Sequence, residues 1–130
     1  MVKTVKKDLR QLRELTHAIN AEVDKYNRLA RYIETVAERD GEGERTDTMR
    51  AKLKQKSDYI DSLRLEVYKL KGKYSDAIGK LEDVEDNAIA TEAFLVGRTY
   101  KSIAVELFFS EAGVKKRIER IYKKIAKIMN

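Results

Sequence analysis

The chain has 130 residues, of which 38% are charged; it lacks proline and cysteine, and 28 basic against 22 acidic residues give a net charge of +6. This length fits one domain, or one small module on an extended arm, and the lack of cysteine excludes a disulfide framework. No apolar run approaches the ~18 residues of a membrane span or forms a signal peptide, so we expect a cytoplasmic protein with no membrane partner. The many charged residues and the lack of proline predict an all-α protein.

Residues 3–38 are predicted to form the first long helix, because apolar side chains recur at alternating steps of four and three. This heptad seam consists of Val5, Leu9, Leu12, Thr16, Ile19, Val23, Tyr26, Ala30, Ile33 and Ala37. Leu15, Leu29 and Val36 widen the seam on one flank. A widened seam favours a helical bundle over a two-stranded zipper.

Residues 39–46 are predicted to form a loop, because they contain two glycines and no apolar side chain. Three of the acids alternate as calcium-loop ligands do: Asp40, Glu42 and Glu44. The glycine and bidentate-acid positions of such a loop hold Arg45 and Ala51 instead. We therefore expect a solvated hairpin loop and predict no metal site.

A second long helix is predicted over residues 47–86, with the same four-three spacing. Its seam consists of Met49, Leu53, Lys56, Ile60, Leu63, Val67, Leu70, Tyr74, Ala77, Leu81 and Val84. The charged Lys56 either selects register or oligomeric state or lies near a frayed end, and fraying is the favoured explanation. The short loop predicts that the two helices fold back as an antiparallel coiled-coil hairpin.

Several large apolar side chains lie beside the two seams, namely Leu15, Leu29, Tyr32, Tyr59, Tyr68 and Ile78. A second hairpin that covered them would give a homodimeric four-helix arrangement, so residues 1–86 are predicted to form a dimerisation domain. The alternative is a monomeric hairpin against which the C-terminal module folds back.

Residues 87–130 are predicted to form a C-terminal trihelical module. Its first helix is expected to be capped by Asp86 or Asn87 and to end at Gly97. The predicted core of the module consists of Ile89, Ala93, Phe94, Val96, Ile103, Leu107, Phe109, Val114 and Ile118.

Residues 99–129 have the pattern of two short amphipathic helices joined by a turn. The turn is placed at Phe108 and Phe109, and Ser110 can cap the second helix, which spans about 111–128. Small Ala104 permits a close helix crossing, as a helix-turn-helix requires. Tyr122 and Phe108 are interpreted as core or lid residues.

Excess positive charge is confined to the last quarter of the chain. Residues 97–130 contain nine basic and three acidic residues, whereas residues 1–96 contain 19 of each. Such segregation on one helix is typical of a surface that binds a polyanion, and we expect double-stranded DNA to be the partner.

The DNA contacts follow from positions on the two last helices. Base-edge contacts are predicted near the start of the second helix and on its outward face: Glu111, Ala112, Lys115, Lys116 and Glu119. Phosphate contacts are predicted from helix N-termini and basic side chains: Thr99, Tyr100, Lys101, Ser110, Arg117, Arg120, Lys123 and Lys124. Among the residues with predicted base contacts, Lys116 is the leading candidate for recognising the DNA sequence.

The run Tyr100-Lys101-Ser102-Ile103-Ala104-x-x-Leu107-x-Phe109-Ser110-x-x-x-Val114-x-x-x-Ile118 resembles the helix-turn-helix of sigma-factor region 4. The chain as a whole is similar in architecture to small phage-encoded transcription regulators of the ArpU/RinA type. This resemblance implies a phage or prophage regulator that acts in the cytoplasm of a bacterial host cell, and it leaves contact with RNA polymerase open. Two departures are Phe108, where the family usually has glycine, and Gly113 in the first turn of the reading helix.

No catalytic or cofactor motif accompanies these features. The chain has one histidine, His17, no cysteine and no phosphate-cradling glycine motif, so we predict that it is not an enzyme and has no cofactor. Two functions remain open: a sequence-specific DNA-binding transcription regulator, and a coiled-coil assembly protein with a loosely DNA-binding basic tail, such as a small-terminase-like packaging protein.

Overall fold

The structure, a computed structural model that describes residues 1–130, is all-α and contains no strand, as predicted. Its helices are α1 (Val2–Asp40), α2 (Glu44–Gly79), α3 (Val84–Ala90), α4 (Tyr100–Leu107) and α5 (Glu111–Met129). A π-helical turn, Thr91–Val96, continues α3. None of these helices has both the length and the apolar character needed to cross a membrane.

The loop between α1 and α2 is shorter than the predicted 39–46, because both helices extend into it. Gly41 ends α1 in the left-handed region at φ +79°, and its N–H donates to the carbonyl of Ala37 at 2.9 Å. Thr46 is buried, and its hydroxyl accepts the N–H of Gly43 at 2.8 Å. This hydrogen bond stabilises the first turn of α2, which begins at Glu44.

The predicted end of the second helix at residue 86 is wrong, since α2 ends at Gly79. The Asn87 amide donates to the carbonyls of Ile78 and Leu81, at 3.0 and 3.3 Å, and satisfies backbone groups that continued helix would have used. Asp83 then begins α3, because its carboxylate accepts the N–H of Asp86 at 2.9 Å. The predicted caps Asp86 and Asn87 are thus replaced by Asp83.

The predicted stop at Gly97 is confirmed. Gly97 follows the π-helical turn with φ +86°, a conformation that glycine adopts without strain. A Cβ at this position would lie 2.6 Å from the Cγ2 of Thr16 on α1, so the backbone approaches α1 closely here.

The chain forms two compact units whose boundaries do not coincide with the predicted division at residues 86/87. We call residues 1–16 with 67–130 the terminal unit, and residues 17–66 the middle unit. The helices α1 and α2 each contribute to both units.

The core of the terminal unit contains more than the predicted trihelical set. Ile89, Ala93, Phe94, Ile103, Val114 and Ile118 are buried as predicted, whereas Leu107 and Phe109 are partly buried. Val5, Leu9 and Leu12 of α1 join them with no exposed surface. Predictions for three other residues are wrong, because Val96 and Val84 are 54% and 82% exposed, and Ile78 is buried in this core rather than left for a second hairpin.

A polar cluster at the edge of this core joins α1 to α2. Asp8 accepts hydrogen bonds from the hydroxyl of Tyr74 and from Lys73, whose Nζ lies 2.9 Å away. Burial alone would raise the pKa of Asp8, but these two hydrogen bonds outweigh it and hold the pKa below its ordinary value of 3.8. Burial, together with the bond to Asp8, raises the pKa of Tyr74.

The middle unit has a thin apolar seam. Ile33, Val36, Ile60 and Leu63 are buried, whereas Val23 and Tyr26 are only partly buried. Tyr32 and Tyr59 are 49% and 53% exposed. Lys56 is partly buried well inside α2, so the explanation that it lies at a frayed end is wrong.

Candidate nucleic-acid interface

The helices α4 and α5 are separated by a connection that local sequence explains. Phe108 is left-handed at φ 60°, and the N–H of Phe109 donates to the carbonyl of Ala104 at 2.9 Å, which closes the end of α4. Ser110 caps α5, because its Oγ accepts the N–H of Gly113 at 3.0 Å. The predicted break and the predicted serine cap are both present.

Phe108 does not lie in the core and covers nothing, so its interpretation as a core or lid residue is wrong. Its side chain is 95% exposed, although it occupies a backbone conformation that favours glycine. Phe109, in contrast, is partly buried against the core, with the guanidinium of Arg117 5.1 Å from its ring centre. Tyr122 is buried as predicted, and its ring centre lies 5.9 Å from that of Phe94.

The start of α4 is anchored by a residue that the sequence did not single out. Arg13 of α1 donates to the carbonyls of Ala93 and Arg98 at 3.0 and 2.8 Å. Its guanidinium lies 4.0 Å from the ring centre of Tyr100. Tyr100 is therefore occupied by a contact inside the protein, whereas Lys101, one residue on, is exposed.

Thr99 and Ser110, two of the predicted phosphate contacts, serve as helix caps. The hydroxyl of Thr99 accepts the N–H of Ser102 at 3.1 Å, as Ser110 does for Gly113. Both side chains are exposed, so the first turns of α4 and α5 begin at the protein surface.

Four of the five predicted base-reading residues lie exposed in the first half of α5 without a partner on another helix. These are Glu111, Ala112, Lys115 and Lys116. Lys115 and Glu111 pair with each other along the helix at 3.5 Å, and Lys116 forms no ion pair. The fifth residue, Glu119, pairs with Lys6 of α1 at 3.0 Å.

The predicted phosphate contacts on α5 fall into two groups. Arg120 and Lys123 are exposed and form no ion pair. Arg117 and Lys124 instead face α3, where both bond to the carboxylate of Asp86, with Arg117 Nη1 3.0 Å from Asp86 Oδ1. The side chain of Asp86 is only 3% exposed, so this carboxylate is desolvated and neutralised by the two cations.

Two further acids surround the same arginine. Arg117 lies 3.5 Å from Asp83 and 3.8 Å from Glu85. The pKa of Asp83 lies below its ordinary value, because its carboxylate accepts the N–H of Asp86 and because Arg117 is close. Arg117 and Lys124 therefore hold α5 against α3, a role that the sequence could not assign because both residues lie on the edge of the polar face.

Comparison of the chain with family models, with curated proteins and with solved structures gives no match. The function is therefore inferred from the geometry of α4, α5 and the helices that contact them.

Proposed function

We propose that the chain is a sequence-specific, double-stranded DNA-binding transcription regulator that reads the major groove with the first half of α5. The single observation that carries this proposal is the capped break at Phe108–Ser110, which sets α4 and α5 as separate helices. Three residues connect them, which is the connection length of a helix-turn-helix. The third helix of the proposed module is α3, whose Asp86 bonds to Arg117 and Lys124 of α5.

Charge supports DNA as the partner. Lys101, Arg120 and Lys123 are exposed and unpaired, and a phosphate oxygen can take the place of the water around each cation. Arg117 and Lys124, which are occupied by Asp86, position α5 rather than contact DNA. Three phosphate contacts from the C-terminal helices would give a slope of log affinity against log salt of about −3.

Base reading is assigned to Lys115 and Lys116, with Glu111 and Ala112 beside them. A lysine ammonium can donate to the O6 and N7 acceptors of guanine, a carboxylate can accept from the cytosine amino group, and an alanine methyl can touch thymine. These side chains lie at the N-terminal end of the helix, where recognition helices contact bases.

The antiparallel coiled-coil hairpin belongs to the same proposal. In the middle unit, Arg45 of α2 donates to the hydroxyl of Tyr32 on α1 at 3.0 Å, while residues 23–27 of α1 line a groove with residues 57–64 of α2. The partner numbers fall along α2 as they rise along α1, as an antiparallel pair requires. The exposed rings of Tyr32 and Tyr59 then offer a surface for dimerisation with a second copy of the chain. Light scattering at tens of micromolar should show a dimer, and a monomer would contradict dimerisation.

The proposal is tested by selecting duplexes from random sequence and measuring affinity for the selected and scrambled duplexes. We expect the wild type to prefer the selected duplex and Lys116→Ala to reduce that preference about fivefold or more, since one good base contact contributes about 1–3 kcal/mol. The matched control is Lys52→Ala, which removes an exposed, unpaired lysine from α2 and should leave the preference unchanged.

Two outcomes would overturn the proposal. Equal affinity of the wild type for every duplex would favour the coiled-coil assembly protein, especially if light scattering showed a closed ring of many subunits. Absence of DNA binding would remove both functions.

A further inference from the structure

The balance of charge over residues 1–96 conceals two opposite contributions. Residues 1–16 contain five basic and two acidic residues, whereas residues 17–96 contain 14 basic and 17 acidic residues. The first turns of α1 are thus as rich in positive charge as the C-terminal helices, and they belong to the same compact unit.

Three of these basic residues form a stripe on α1. Lys3, Lys7 and Arg10 are spaced by four and three residues, so they follow one another along a single helix face. All three are exposed, and none forms an ion pair. The opposite face of the same turns is buried in the core, which fixes the direction in which the stripe points.

The stripe lies beside α5. Lys6 Nζ is 3.0 Å from a carboxylate oxygen of Glu119 and 5.9 Å from the ring centre of Tyr122, so these turns of α1 are docked on the middle of α5. Arg10 lines one groove with Lys115 and Lys116 of α5. It also lines the neighbouring groove with Lys3 and Lys7, so the two sets of cations are continuous through Arg10.

We propose that the first turns of α1 extend the DNA interface, with Lys3, Lys7 and Arg10 contacting backbone phosphates beside the base pairs that α5 reads. This inference rests on the proposed function. The contacts are electrostatic and carry no sequence information, because the side chains meet phosphates rather than base edges. They double the number of phosphate contacts that the C-terminal helices supply.

The test is the triple variant Lys3→Gln/Lys7→Gln/Arg10→Gln, titrated with selected and scrambled duplexes over a range of salt concentrations. We expect both affinities to fall by the same factor, on the order of a hundredfold near 0.1 M salt, and the slope of log affinity against log salt to become shallower by about 3. The preference between the duplexes should not change. The single variant Lys7→Gln should shift the slope by about 1.

The matched control is Arg28→Gln/Arg31→Gln/Lys52→Gln, which removes the same charge from exposed, unpaired residues of the middle unit. It should keep the wild-type slope. If the wild type binds DNA and the α1 variants have the same slope as this control, the inference is wrong while the proposed function stands. If the wild type itself binds no DNA, both are wrong.

Discussion

The carboxylate of Asp86 offers the sharpest test of how α5 is held in place. Its two oxygens accept from Arg117 and Lys124, and its side chain is 3% exposed. Asp86→Asn keeps the size and shape of the side chain but removes its charge and turns one acceptor into an N–H donor that faces a cation. One charged hydrogen bond is lost, and the other becomes a bond to a neutral oxygen.

The expected loss of stability follows from the exposure of the two cations. Arg117 is 21% exposed, so its charged hydrogen bond should contribute about 1.5–3 kcal/mol. Lys124 is 47% exposed, so solvent screens its pairing and its share is about 0–1 kcal/mol. We therefore expect Asp86→Asn to lower the free energy of unfolding by about 2–3 kcal/mol.

Urea denaturation followed by circular dichroism measures this loss. With a slope of about 1–3 kcal/mol per molar urea, the midpoint should fall by about 1–2 M. The control is Glu85→Gln, which neutralises a carboxylate that is 57% exposed and 3.8 Å from the same arginine, and its effect should stay within about 0.5 kcal/mol. Equal midpoints for the two variants would refute the assignment of Asp86 as the anchor of α5.

Three further predictions concern backbone strain and acid stability. Phe108→Gly should stabilise the protein by about 1 kcal/mol, because it removes positive-φ strain and no packing, whereas Val105→Gly, within α4, should destabilise it by a similar amount; urea denaturation compares them. Gly97→Ala should lower the free energy of unfolding by about 1–3 kcal/mol. In the double variant Gly97→Ala/Thr16→Ser, loss of the methyl that lies 2.6 Å from the new Cβ should remove the steric part of this cost and leave the positive-φ strain. If the effects of the two single variants were fully additive in the double variant, this reasoning would be contradicted. The pKa of Asp8 is lowered in the folded state, so its carboxylate stabilises the protein above pH 3.8, and this stabilisation is lost as the pH falls below that value. The difference in free energy of unfolding between the wild type and Asp8→Asn should therefore shrink on acidification. A constant difference in urea denaturation would argue against this.

The features that the sequence predicted well are those set by neighbouring residues. Ser110 caps α5 through the N–H of Gly113, and Gly97 ends the preceding helix in the left-handed region, so each boundary depends on chemistry within a few positions. The heptad spacing likewise predicts which face of α1 is buried, as Leu9 and Leu12 show.

The features that the sequence missed depend on contacts between distant residues. The heptad pattern continues through Leu81, so it gave no sign that α2 ends at Gly79, where the side chain of Asn87 takes over backbone carbonyls. Periodicity also places Arg117 on the margin of the polar face without saying whether DNA or Asp86 would meet it. That choice depends on the position of α3 in space.

The division of α1 and α2 between two compact units has a consequence for biosynthesis. Residues 17–66 are one continuous stretch of chain, so this unit can assemble before α5 is translated. Leu9 and Leu12 leave the ribosome more than a hundred residues before their core partners on α5, such as Ile121 and Ile125. Until those partners emerge, the nascent chain must keep this apolar stretch from aggregating, so a chaperone that shields it should raise the yield of native protein.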